Sequence, residues 1–460
     1  MLKLQAATKE VHFEKGPIVS TLLIYTVPIL LTQLLQQLYN ITDCIIVGRF
    51  CGEYGLSSVG MVAFIVNIFI NFFIGFSTGI GVVVAQEFGR YNFLQVKKTI
   101  CTMVNIGMIA GVILSAIGMA LSGCFLTWVK CPPEMFDVAY EYMFICFIGV
   151  LPQLIYNIGN AILRALGDTR TALYYLIFSS ILNVGLDLLL VVKFEMGLAG
   201  AAIATVASQW VIFFMMLVRL SRMDKSYSYK LGLVSRNGLG LTFKEIGHVI
   251  GLSLPSGMQA IFMSISSFIV QISINSFGTA AIAGMTIYSK MEGFVYYPAF
   301  AYGIALTGFV GQNYGAQCMD RIKKAVRLSL TVSTAIYVPL SLLVLHVSPK
   351  CLQLFTSNPD IIHNGYQALL WNLPLYFLFM INQIYLGTIK GLGKTIYPMI
   401  CTLVCYCIFR AAWCQFLIPV FNSMIVVYTG YDASWVLLIG MLIPYYRKVL
   451  KEKEKDCVLH

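Results

Sequence analysis

Apolar runs of about 20 residues, the length needed to cross a bilayer core of about 30 Å as a helix, recur along the whole chain between short polar or glycine- and proline-bearing breaks. Twelve such runs are predicted as membrane-spanning helices. They cover approximately residues 18–48, 56–88, 99–128, 135–163, 170–192, 198–220, 246–276, 281–311, 326–347, 366–389, 396–420 and 431–446. The last is short, and the mixed stretch from Asn422 to Asp432 blurs its upstream edge.

Composition agrees with this pattern: 58% of the 460 residues are hydrophobic and 11% are charged, where a soluble domain is roughly a quarter charged. A soluble fold is therefore excluded, and an all-α polytopic membrane protein is expected. The net charge of +11 would suit a nucleic-acid partner, but its distribution reads as topology instead. With the N-terminus inside, most Lys and Arg fall on cytoplasmic segments. Arg49, Lys130, Lys193 and Lys350 are left outside, and Lys290 and Arg410 lie within spans. Both termini are thus expected in the cytoplasm, with membrane lipids as the surroundings and no nucleic-acid partner. The first apolar stretch is too long for a signal-peptide core, so it is expected to remain as the first span. The 13 cysteines are scattered through apolar helices and read as small buried hydrophobes. Cys401, Cys405 and Cys407 lack a matching His or Cys pair and make a poor metal site. The terminal Cys457 run ends in His460, which is unusual for a prenylation box.

A shift of 226 residues aligns the chain with itself. Gly89 falls on Gly315, Lys97 and Lys98 on Lys323 and Lys324, and Pro133 and Tyr140 on Pro359 and Tyr366. Arg164, Gly167 and Thr169 fall on Lys390, Gly393 and Thr395. Each copy holds six spans, so both enter the membrane in the same orientation, related by a pseudo-two-fold along its normal. The expected organisation is an N-terminal lobe over 1–223, a cytoplasmic linker over 224–245 and a C-terminal lobe over 246–460. The repeat also explains Gly391-Leu-Gly-Lys-Thr395, which resembles a phosphate-binding loop. Thr388 occupies the position of the required first glycine and no strand precedes it, so the segment and its partner Gly167-Asp-Thr169 read as turns.

An ionisable group in hydrocarbon costs several kcal/mol and is a functional candidate by default. On the first span Gln33, Gln36, Asn40 and Asp43 share one helical face. Gln153, Asn157, Asn160 and Arg164 do so on the fourth and Ser180, Asn183 and Asp187 on the fifth, while Thr205, Ser208 and Gln209 lie on the sixth. These stripes imply a hydrated polar cavity within the first lobe; alternatively, the amides and hydroxyls glue the bundle together. Two carboxylates with amide and hydroxyl oxygens suit a hard cation such as Na⁺, and equally a proton shared between nearby acids. In the second half, Ile269 and Trp413 stand where Asp43 and Asp187 would be, so ion coupling is expected in the first lobe. Lys290 and Glu292 either contact substrate or form a structural pair. Pro28, Pro255, Pro298 and Pro374 permit bends within spans.

Pro28 followed by Asp43-Cys-Ile-Ile-Val-Gly48, then Leu163-Arg-Ala-Leu-Gly-Asp-Thr-Arg170, Asn183 with Asp187, and Gly311-Gln-Asn-Tyr-Gly-Ala316 give the chain its family likeness. In order and spacing it resembles the multidrug and toxic compound extrusion (MATE) transporters, in the bacterial DinF-like and MepA-like branch. The resemblance covers nearly the whole chain. It implies a V-shaped pair of six-helix lobes that alternate in access, and a cation site at Asp43, Asn183, Asp187 and Thr205. It also implies a multi-pass protein of the bacterial inner membrane that exports organic cations or amphipathic drugs in antiport with Na⁺ or H⁺. No cofactor beyond the coupling ion is expected, and each chain is expected to act as a monomer. NorM-like members carry acidic residues in the second lobe, where this chain departs from them. A flippase for lipid-linked saccharides is the alternative, opposed by the mainly acidic intramembrane charges. An enzyme is disfavoured because His248, His346 and His363 are isolated near span ends.

Overall fold

The computed structural model describes residue 13 and residues 16–223 and 240–458, and among these all regular structure is helical. Among the described residues, eleven helices are long and apolar enough to cross a bilayer. A bent pair, Pro133–Ile148 (α4) and Val150–Ala165 (α5), supplies the twelfth span with an angle of 42°. The expected fourth span is therefore not one straight helix. Pro152 explains the break: it has no N–H for the Ile148 carbonyl, and its ring crowds that carbonyl. Around α4 and α5 run α2 (Gly52–Gly89), α3 (Phe93–Trp128), α6 (Arg170–Asp187) and α7 (Gly197–Ser221), and the chain opens on α1 (Ile18–Phe50). The later part holds α8 (Phe243–Asn275), α9 (Thr279–Gly315), α10 (Met319–Gln353), α11 (Pro359–Asn372), α12 (Tyr376–Gly391), α13 (Ile396–Thr402), α14 (Arg410–Phe421) and α15 (Met424–Val458). A 3₁₀ turn at Leu373–Leu375 joins α11 to α12 around Pro374.

The chain forms two compact units. One runs from Leu31 to Ser253; the other joins the segment ending at Leu30 to everything from Leu254 onward. By contact the units divide inside α1 and α8, while residues 224–239 of the linker expected over 224–245 lie outside the described ones. The reason is local, because Pro28 and Pro255 stand beside the two boundaries. A missing backbone hydrogen bond lets the two halves of one long helix follow different neighbours.

Within the first unit α2 crosses the start of α8 so closely that a Cβ on Gly79 would lie 2.4 Å from the Ser253 Cα. Small residues permit such approaches between membrane helices. In the second unit Gly387 of α12 likewise lies against the Gly303 carbonyl of α9, 2.5 Å from where its Cβ would be. Phe13 is fully buried there: its N–H donates to Gln312 Oε1 at 3.2 Å, and its carbonyl accepts from Arg321 Nε at 2.8 Å. The two turns that mimic a phosphate loop match in conformation, with Gly167 at φ +92° and Gly393 at φ +79°, a backbone region that favours glycine.

Candidate functional site

The polar group of the first unit is built from α1, α6 and α7. Asn183 and Asp187, one helical turn apart on α6, are both fully buried. With its amide oriented to match both ends, Asn183 donates to Asp187 Oδ2 at 3.0 Å and accepts from the Thr205 N–H at 3.3 Å. Thr205 Oγ1 on α7 also accepts the Tyr39 hydroxyl at 3.4 Å. Asp43 follows Tyr39 by one turn on α1 and lies within electrostatic reach of Asp187. The structure thus brings Asp43, Asn183, Asp187 and Thr205 together. Asp43 Oδ1 and Asp187 Oδ1 are buried without a hydrogen-bond partner, whereas buried polar atoms are ordinarily matched. Such oxygens suit a ligand that brings positive charge, either an alkali ion or a proton.

Asp187 is the last residue of α6 before the chain unwinds into a π-helical segment, Leu188–Lys193. Its looser winding is visible in Phe194 N–H bonding back to the Leu189 carbonyl at 3.0 Å. π segments re-aim side chains and are frequent at functional positions.

The remaining polar stripes divide. Gln33 and Gln36 are half-buried and Asn40 is exposed. Asn157 turns back to the Gln153 carbonyl of its own helix at 2.9 Å, a local bond rather than a cavity contact. Asn160 Oδ1 and Ser180 Oγ are buried and unmatched. Gln153 lines a cleft with Gln209, Cys146, Phe69, Phe73 and Phe147, and Cys146 is also within electrostatic reach of Tyr39. Tyr39 itself escaped the sequence reading, although it stands four residues before Asp43 and three after Gln36, on the same stripe.

Lys290 and Glu292 do not pair. Lys290 is exposed, while Glu292 Oε1 accepts the Tyr376 hydroxyl at 2.8 Å; two residues apart, they point to different sides of α9. Trp413, at the repeat position of Asp187, donates its indole N–H to the Val426 carbonyl at 3.1 Å. Among the described residues, no three His, Cys, Asp or Glu side chains converge as a metal site. Cys407 instead bonds the Phe262 carbonyl at 3.1 Å.

The MatE family model matches residues 28–189 and, a second time, 255–415. The two matches begin at Pro28 and Pro255, so they bear out the internal duplication. The chain is 25% identical over 442 residues to the probable multidrug resistance protein YoeA of Bacillus subtilis (strain 168), covering 94% of each chain. It is 20% identical to the multidrug export protein MepA of Staphylococcus aureus (strain MW2), over 83% of this chain and 84% of that one. Its fold superposes on a crystal structure of a MATE protein in the bent conformation with a TM-score of 0.89 at 19% identity, covering 98% of this chain and 99% of the other. With two family matches spanning most of its length, the chain belongs to the MatE family and is a multi-pass membrane transporter, not an enzyme.

Proposed function

We propose that the chain is a secondary active exporter of organic cations and amphipathic drugs, driven by antiport of Na⁺ or H⁺ at Asp43, Asn183, Asp187 and Thr205, with Tyr39 as a further member. The observation that carries this reading is the pair of unmatched carboxylate oxygens, Asp43 Oδ1 and Asp187 Oδ1, in one buried polar group. A coupling ion held there neutralises charge that is costly in hydrocarbon. Its binding strengthens one arrangement of α1, α6 and α7, and by linkage it shifts the affinity for a second ligand. Relatives that carry the name of multidrug resistance or export proteins over most of their length support the substrate class.

Asn160, Gln153 and Gln209 serve as polar contacts beside this group, and each chain works as a monomer in the bacterial inner membrane. The excess of Lys and Arg on one set of loops supports cytoplasmic termini. The test is ethidium export from proteoliposomes holding the purified chain, first under an imposed Na⁺ gradient and then under an imposed pH gradient. Export under one gradient alone identifies the coupling ion. Equal, gradient-independent fluxes contradict antiport.

A further inference from the structure

Arg410 opens α14, at the point where a second π-helical segment, Leu403–Phe409, returns to α-helical winding. Its side chain is nearly closed off, at 5% exposure. Nε donates to Ser434 Oγ at 2.8 Å and Nη1 to Ser266 Oγ at 3.2 Å. The guanidinium carbon lies 4.2 Å from the ring centre of Tyr406 and 4.4 Å from that of Tyr431. Ser266 in turn donates to the Tyr406 carbonyl at 2.7 Å and Ser434 to the Tyr431 carbonyl at 2.6 Å. A guanidinium buried in a membrane protein is thus held by hydroxyls and ring faces, not by a carboxylate.

Yet a carboxylate stands beside it. Asp432 follows Tyr431 directly on α15 and precedes Ser434, so two groups that hold Arg410 flank it in sequence. It is 7% exposed, its Oδ1 is buried without a hydrogen-bond partner, and it lies within electrostatic reach of Arg410. The titratable groups around Arg410 and Tyr431 are Tyr406, Cys405 and Cys407 on the π segment, Cys414 one turn along α14, and Tyr288 and Glu292 on α9, the last bonded to Tyr376 of α12. The fixed positive charge of Arg410 opposes any incoming cation, a proton included, and an alkali ion needs several oxygens around it besides. A proton needs no coordination shell, only an oxygen.

We propose that Asp432 is a proton-carrying site of the second unit, separate from the Asp43 and Asp187 group. Protonation forms an O–H bond on Oδ1 and leaves Arg410 on its serines and tyrosine rings. Deprotonation breaks that bond, passes the proton to water and leaves a carboxylate whose charge Arg410 balances by moving towards it. The π segment supplies slack for that movement, because its winding is looser than that of the helices on either side.

The experiment is infrared difference spectroscopy of the purified full-length chain through a pH jump. It follows the carbonyl band of protonated carboxyl groups and needs no substrate, so its result stands apart from the antiport reading. With Asp43 and Asp187 both changed to Asn, one protonated-carboxyl band is expected to remain and to vanish as pH rises. Adding Asp432→Asn is expected to abolish it, and Asp432→Glu to move it. Absence of a titrating band in the Asp43→Asn, Asp187→Asn chain overturns the proposal. So does a band that Asp432→Glu leaves in place, a control that holds even where Asp432→Asn folds poorly.

Discussion

Tyr39 and Thr205, 166 residues apart in sequence, meet through a hydroxyl–hydroxyl hydrogen bond of 3.4 Å. Thr205 also presents its N–H to Asn183, so one threonine links the α1 carboxylate arm to the α6 carboxylate arm. A buried hydrogen bond is worth about 1 kcal/mol net, or roughly fivefold in a binding constant. Tyr39→Phe and Thr205→Ala are each expected to weaken ion dependence by about that factor, while Thr205→Ser retains it. Because the two share one bond, the double variant should lose less than the sum. Ion titrations of export rate in all four chains measure this directly.

Asn183 holds Asp187 Oδ2, and that carboxylate has an unmatched second oxygen. Asn183→Leu removes the donor and leaves a buried carboxylate with no hydrogen bond, an arrangement that costs about 1–3 kcal/mol or more. The expected outcome is a lower unfolding temperature in detergent together with loss of gradient-driven export. Asn183→Asp is expected to keep the fold less well still, since it adds a second negative charge one turn from the first.

Gly79 tests packing rather than chemistry. A Cβ there meets Ser253 backbone at 2.4 Å and 2.6 Å, and backbone cannot swing aside as a side-chain tip can. Gly79→Ala is expected to cost about 1–3 kcal/mol, the usual penalty of overpacking. Thermal unfolding reads it. Gly440 has nothing within 4 Å of its Cβ position, and Gly440→Ala serves as the neutral control.

The turn between α5 and α6 carries a separate load. Asp168 accepts from the Thr171 N–H at 3.1 Å and from its hydroxyl at 2.6 Å, and pairs with Arg219 of α7 at 2.8 Å. Asp168→Ala removes all three and is expected to destabilise by about 1–2 kcal/mol, as loss of a helix-start acceptor does. Ion dependence should not change, because none of these contacts reaches Asp43 or Asp187.

Much of this architecture is legible before any coordinates. Span number follows from apolar length, and duplication from the constant offset, because both are one-dimensional properties. Asp43, Asn183, Asp187 and Thr205 fall on helical stripes whose spacing already places them inward. What stayed hidden depends on three dimensions or on a single residue within a long apolar run. Tyr39 carries neither charge nor motif, and only its contact with Thr205 distinguishes it. Pro152 breaks the fourth span, a local rule that a hydropathy window averages away. Asp432 was lost at a blurred helix edge: α15 starts at Met424, two turns earlier than the apolar run suggested, which carries the aspartate into the buried part of the second unit. The unit boundaries inside α1 and α8 reflect which neighbours each half-helix packs against, and that information lies in no local pattern.

The most direct test of the account compares ethidium export by wild type, Asp43→Asn and Asp187→Asn in proteoliposomes under the gradient that drives the wild type. Asparagine keeps the size and shape of each side chain, but it replaces one acceptor oxygen with an NH₂ donor and can hold neither the negative charge nor the proton. Both variants are expected to purify as folded protein, to bind ethidium, and to show no gradient-driven export. Full export by either variant would contradict the assignment of the coupling ion to this pair of carboxylates.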